Sequence, residues 1–454
     1  MNNKSKNGAE GTRLEPVYFA FGQENQEARE KAEAWVDGMK GILKSDVAFK
    51  KPLTITEESH LSKLDEGISH DVDALILSGG RSIYSSRKLA KLGIPIIIWG
   101  PEGYAHAGEW DQRGFLESEG AETYAPLGPS EYDKVIRLIG TPARLKRSKA
   151  IVCGEIPIGS PISSCWDLGM IERKIGVEIK QISTELLLEE FNRVKAEEGR
   201  EVLNSWKKYI ERIDGPSEDE VVRVARLYVA LKRFIERENA DAITMAWFHK
   251  LEWKSGIEGV IPPCLPLAIL MDEGIISGCE ADLNVLLSMQ ILNYVSGNTP
   301  IMGNIYLHPP LPTTDERRVP RPPTDLKDIK KNIEESLITL SHGVIPLSMC
   351  DTKFVVEDYH GQGRGVTAYC HLVENKPVTL ARLSSDLSKL LVIRGNLQRC
   401  VDSVVCRFTA WIKVQDVAAV AHNAFSFHHA MVYGDHTETL EALGKKLGVQ
   451  VIVV

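Results

Sequence analysis

The chain has no CxxC pair, no GxGxxG fingerprint, no P-loop and no apolar run long enough to span a bilayer. Each absence removes a class of function. Its eight cysteines are spread from Cys153 to Cys406, which fits reduced, mostly buried thiols better than a disulfide framework or a zinc knuckle. The glycine-bearing loops Ser78-Gly79-Gly80-Arg81 and Gly100-Pro101-Glu102-Gly103 serve turns better than a nucleotide. The net charge is -8 and the basic residues are scattered, so nucleic acid is not an expected partner. Residues 1–14 are polar and lack a signal-peptide core. The longest apolar stretches, such as Ile94 to Trp99, are far too short for a membrane span. The expectation is a cytoplasmic chain with no membrane partner.

What remains is ordinary globular composition, 43% hydrophobic and 26% charged over 454 residues. At roughly 150 residues per domain, that length predicts about three. In residues 15–146, short apolar strands (Val17-Tyr18-Phe19-Ala20, Val72-Asp73-Ala74-Leu75-Ile76-Leu77, Pro95-Ile96-Ile97-Ile98-Trp99) alternate with helical patterns. This reads as a parallel sheet with crossover helices. A second α/β unit, 147–303, opens on Ala150-Ile151-Val152-Cys153. It continues through long charged helices between Ser183 and Glu238 to the strand Ala242-Ile243-Thr244-Met245-Ala246. That strand runs into Trp247-Phe248-His249-Lys250. Open sheets bind ligands at the carboxyl ends of their strands, which makes Trp247 and His249 candidate substrate contacts; a hydrogen-bonded structural histidine is the plain alternative. Residues 308–323 carry six prolines and three arginines and read as an extended connection. The rest of 304–454 is strand-rich and reads as an antiparallel sheet or barrel. The fold class is therefore α/β, two consecutive open parallel-sheet domains followed by a strand-rich C-terminal domain.

Glu280 is the most informative residue. It lies in Gly278-Cys279-Glu280-Ala281-Asp282, just ahead of a helical run whose apolar residues go nearly all round, the mark of a buried helix. Gly297 and then Pro300 end that run. Asp282 falls in its first turn, where it is a candidate second ligand, although an acid there is favoured by the helix dipole alone. Far downstream, Phe427-His428-His429-Ala430 offers an imidazole that a metal could share with Glu280. If that segment is a strand, His429 faces away from His428.

These segments, together with Pro263-Cys264-Leu265-Pro266 and Leu340-Ser341-His342, resemble the metal-binding region of the L-fucose/L-arabinose isomerase family. The resemblance implies a metal-dependent aldose-ketose isomerase acting on an open-chain sugar or sugar derivative through an enediol. Glu280 and His428 would be ligands of Mn2+ or another divalent metal. The family's second acid, some two dozen residues after the first, falls on or near Asn304, which becomes a candidate catalytic position. Asparagine cannot accept a proton at neutral pH and so cannot act as a general base. His342, Asp351, Asp358 and His360 are substitutes for the missing acid, and His342 and His360 are also candidate substrate contacts. The alternative is a sugar-binding or regulatory protein of the same fold with little or no turnover. The family further implies a homo-trimer or homo-hexamer.

Overall fold

The computed structural model describes residues 11–61, 67–69, 71–78, 83–154, 164–246, 261–307, 326–359, 363, 365–403 and 407–454. The described residues up to 144 form one compact unit and those from 145 onward another.

The first unit is built on a six-stranded, wholly parallel sheet. Its strands are β1 (Thr12–Phe19), β2 (Val47–Phe49), β3 (Leu53–Ile55), β4 (Ala74–Ser78), β5 (Ile96–Trp99) and β6 (Thr123–Tyr124). They run in the order β2-β1-β4-β5-β6, with β3 pairing further along the edge of β1 that β2 also uses. β4 and β5 are buried at every position, the continuous apolar reading required of strands covered on both faces. β1 begins inside the stretch read as a polar tail. Leu14 is fully buried there, because a strand that pairs with β2 and β4 must cover its inward side chains whatever the polarity of the residues before it.

The second unit starts with a four-stranded parallel sheet of β7 (Lys149–Cys153), β8 (Glu178–Ile182), β10 (Ala242–Met245) and β11 (Ile276–Cys279), in the order β11-β10-β7-β8. Between β8 and β10 the chain is not helical throughout, as its charge pattern suggested. β9 (Ile210–Asp214) interrupts the helices and pairs in parallel with β14 (Phe354–Glu357), which also pairs with β15 (Thr367–Tyr369). β9 is mostly exposed, so its partner lies in distant sequence and no burial pattern betrays it. The following helix, Glu218–Glu238, starts cleanly. Ser217 accepts a hydrogen bond from the Glu220 backbone N–H while the Glu220 carboxylate accepts one from the Ser217 N–H, satisfying two of the helix's unpaired donors.

The remaining strands are β12 (Ile301–Tyr306), β13 (Leu337–His342), β16 (Lys376–Leu383), β17 (Lys389–Asp402), β18 (Phe408–Val414), β19 (His428–Tyr433) and β20 (Gln450–Val453). The ladder runs β16-β19-β12-β13-β18-β17, and β16 also pairs with β17, so these six strands close on themselves. Closure removes the free edges that invite aggregation. β20 adds to β17 in parallel. β17 is long enough to serve both β16 and β18 besides β20, and the β16 and β18 pairings overlap around Gly395. A side chain there would stand 2.5 Å from Ile412 Cγ2, so the backbone's close approach requires glycine.

The helix Leu283–Ser296 lies between these layers, touching β10 and β11 of the parallel sheet and β16 and β19 of the barrel. Neighbours on both sides explain why it is apolar nearly all round, and all but one of its residues are buried. Each of its leucines contributes on the order of 2 kcal/mol of burial. Gly297 stops it in the left-handed conformation, φ 71°, with its N–H on the Asn293 carbonyl at 2.7 Å. Among the described residues, no helix is long and apolar enough to cross a membrane.

Candidate metal centre

Glu280 leaves the carboxyl end of β11 with two successive residues in the left-handed region, Glu280 at φ 61° and Ala281 at φ 53°. Neither is glycine, and each such placement costs roughly 1–2 kcal/mol. The turn is held by the Ala281 N–H, which donates to the Met245 carbonyl of β10 at 2.8 Å. Strain kept in place by a neighbouring strand at the ligand-binding edge of a sheet is what a functional turn looks like. Here it projects the Glu280 carboxylate, about a third exposed, away from the sheet.

Two imidazoles of the barrel meet that carboxylate. His428 Nε2, fully buried, is 3.7 Å from Glu280 Oε2, and His342 Nε2, nearly buried, is 3.9 Å from Glu280 Oε1. The donor atoms of the three residues all lie within 4.8 Å of one another. Two donors bound to one cation at about 2.1 Å each can be no more than roughly 4.2 Å apart, so both measured carboxylate–imidazole separations are compatible with a shared ion. His428 Nε2 has no hydrogen-bond partner among the described residues, and a buried polar atom left unpaired calls for a missing partner. A donor set of two imidazoles and a carboxylate suits a borderline or hard divalent cation. The residues fit the group.

Asp282 arranges this set. It stands one residue before the helix Leu283–Ser296 rather than in its first turn, and caps it by accepting the Val285 N–H at 3.2 Å. Its other oxygen does more than complement the dipole. Oδ2 accepts from Arg382 Nη1 at 2.6 Å and from His428 Nδ1 at 3.0 Å. The Nδ1 bond fixes the tautomer that leaves the Nε2 lone pair toward Glu280. Asp282 and Arg382 are both fully buried. Burial pushes the Asp282 carboxyl up, but the Arg382 guanidinium and His428 outweigh it and hold the group well below the usual carboxylate range. Arg382 is placed by the same helix: Ser288 Oγ accepts the Leu383 N–H at 3.0 Å, and Asn284 Nδ2 donates to the Ser384 carbonyl at 2.6 Å.

Asn304 stands directly opposite His428 in the antiparallel ladder, which puts the two side chains on one face of the sheet. Its Oδ1 is buried and has no partner among the described residues. Next to it, Gly303 leaves room for Leu340 Cγ, which a side chain at 303 would meet at 2.7 Å. His429 follows His428 on the strand β19 and so alternates to the other face; burial first, then Arg382, lowers its pKa to about 3, so the ring is neutral. His342, read from the sequence as a substrate contact or a substitute for the missing acid, lies with Glu280 and His428. Trp247, His249 and His360 lie outside the described residues. Asp351 N–H pairs with the His371 carbonyl in a separate turn.

Sequence reasoning missed Arg382. It sits in β16 within the run 377–383, whose other residues are apolar or hydroxylic and mostly buried, and a lone arginine in such a run is the signal that could have marked it.

No family model matches the chain. Two curated relatives do, the sulfoquinovose isomerases of Priestia aryabhattai and of Priestia megaterium (strain ATCC 12872 / QMB1551). Each is 23% identical over 326 residues, covering 67% of this chain and 64% of the relative. The match thus spans less than two thirds of the relatives' own length. The chain is therefore similar to sugar isomerases. Among solved structures, a glucose-galactose binding protein from Geobacillus stearothermophilus aligns at 12% identity over 63% of this chain with a TM-score of 0.16, too low to carry an argument.

Proposed function

We propose that this chain is a divalent-metal-dependent isomerase of an open-chain sugar or sugar derivative, of the L-fucose/L-arabinose isomerase kind. The observation that carries the reading is the convergence of Glu280, His342 and His428, supported by the similarity to sulfoquinovose isomerases. Moving a hydrogen between the two carbons of an aldose or ketose needs a proton taken from the carbon beside a carbonyl and returned to its neighbour. A bound divalent cation, Mn2+ by preference, supplies charge stabilisation for the oxygens of the enediol. Glu280, His342 and His428 would hold it. Asp282 keeps His428 in the required tautomer, and Arg382 keeps Asp282 ionised. Glu280 is the carboxylate at hand to accept and return the proton, since Asn304 cannot. We further propose a cytoplasmic homo-oligomer, a trimer or hexamer.

Asn304 favours a second reading, a sugar-binding protein with little turnover, because it puts an amide where the resemblance calls for an acid. One experiment separates the two. The protein is incubated with Mn2+ and a panel of pentoses, hexoses, deoxy and sulfonated sugars in heavy water. Deuterium entering C1 or C2 of one sugar, lost in Glu280→Gln, supports the isomerase. Sugar binding without exchange supports the second reading, and Mn2+ content equal in the parent, Glu280→Gln and His428→Ala overturns the metal assignment.

A further inference from the structure

Away from the metal centre, Cys350 Sγ and Cys370 Sγ stand 2.6 Å apart. Other sulfur contacts in the same pocket are longer: Cys350 Sγ to the Pro346 carbonyl is 3.4 Å, and Cys370 Sγ to the Ile345 carbonyl is 3.8 Å. The gap between the two thiols is shorter than either of those contacts and approaches the roughly 2.05 Å of a bonded pair.

The backbone around them is held in one register, with Cys370 two residues before the position opposite Cys350. Cys350 bridges Leu372 in an antiparallel pairing. On either side, the Asp351 N–H donates to the His371 carbonyl at 3.0 Å and the Val373 N–H to the Met349 carbonyl at 3.2 Å. Cys350 is partly exposed, whereas Cys370 is buried. Of the pair, Cys350 is the one nearer solvent, although burial raises its thiol pKa above the ordinary value.

We propose that Cys350 and Cys370 close an intrachain disulfide when the protein meets a small disulfide oxidant such as glutathione disulfide. The Cys350 thiol loses its proton and its sulfur attacks glutathione disulfide, forming a mixed disulfide and releasing one glutathione thiolate. The Cys370 thiolate then attacks the Cys350 sulfur and expels the second glutathione. Two cysteine thiols are oxidised and one glutathione disulfide is reduced to two glutathiones. The reverse exchange with a dithiol reductant reopens the bridge.

The bridge would fasten a turn that several elements already lean on. Tyr433, at the end of the strand that begins with His428, donates its hydroxyl to the Met349 carbonyl at 3.0 Å. The Asp272 carboxylate, at the end of the helix Cys264–Asp272, accepts the Leu347 and Ser348 N–H groups, both at 2.8 Å. The crosslink thus ties this turn to the segment after β15.

The full chain is treated with glutathione disulfide, quenched with acid, alkylated and cut with trypsin. Lys353 and Arg364 separate the two cysteines, so the bridge appears as peptides 332–353 and 365–382 joined, about two hydrogens lighter than their sum. Dithiothreitol before alkylation should abolish the joined species, and Cys350→Ser and Cys370→Ser should each lack it. Both cysteines alkylated after oxidant, or Cys350 carrying glutathione with Cys370 alkylated, overturns the proposal. The wild-type map decides even if a serine variant fails to fold.

Discussion

Asp282 holds His428 through Nδ1 at 3.0 Å and Arg382 through Nη1 at 2.6 Å, with one carboxylate oxygen serving both. The imidazole is oriented and the carboxylate neutralised by the same atom, inside a region closed to water. Three residues from three separate stretches of chain act as one unit.

That coupling sets the expected behaviour of Asp282→Asn. The amide retains the shape but leaves Arg382 buried without its counter-charge, at a cost of about 3–5 kcal/mol in denaturant unfolding. Loss of the carboxylate behind His428 should weaken divalent-metal affinity by about 10–100-fold. Adding Arg382→Met should restore much of the stability and none of the affinity. Unchanged affinity in the single variant would separate Asp282 from the metal centre.

Asn304→Asp places a charged oxygen opposite His428. It should tighten Mn2+ binding and bring a proton acceptor to the site. Calorimetric titration with Mn2+ reads the first effect, and an affinity equal to the parent's would mean that position 304 does not face the ion.

A third expectation concerns the ion pairs of Arg407, whose backbone bridges that of His342. Arg407 is nearly buried and shares one guanidinium nitrogen between Asp402 and Glu357, the latter at 2.7 Å. Burial raises the Asp402 pKa to about 6, against the pull of Arg407 and with help from Glu357. A carboxyl whose folded pKa exceeds its unfolded value stabilises the fold while both states are protonated, and that contribution is lost as pH climbs through the folded value. Stability attributable to Asp402 should therefore be full below about pH 4 and fall away toward about pH 6. Asp402→Asn should flatten that part of the curve in chemical unfolding at stepped pH. A parallel slope in parent and variant would contradict it.

The parts of this molecule legible in the sequence were those with a local signature. Leu283–Ser296 announced itself by apolar residues all round and a glycine stop, and the parallel strands by continuous Ile, Leu and Val. Glu280 and His428 were paired by their flanking motifs despite lying 148 residues apart by number (428 − 280). Asp282 was read as an acid suited to a helix start, with a metal ligand as the alternative, because its long-range partners follow from how β16 and β19 pack on that helix. Closure of the barrel depends on β17 pairing with two strands at once, and no periodicity records that. β9 escaped for a similar reason, being a short exposed strand whose partner among the described residues comes more than a hundred residues later.

The Glu280 carboxylate belongs to the parallel sheet, while the His342 and His428 rings belong to the barrel. An ion gripped by all three would act as a rivet between two layers that the helix Leu283–Ser296 otherwise joins by apolar burial and by the hydrogen bonds of Asp282, Asn284 and Ser288. It would bind only when the layers are seated, and at a hundredfold excess over its dissociation constant it would add about 2.7 kcal/mol to their union. A chelator would then be a mild denaturant of that junction, and heat would release the metal before it melts the barrel.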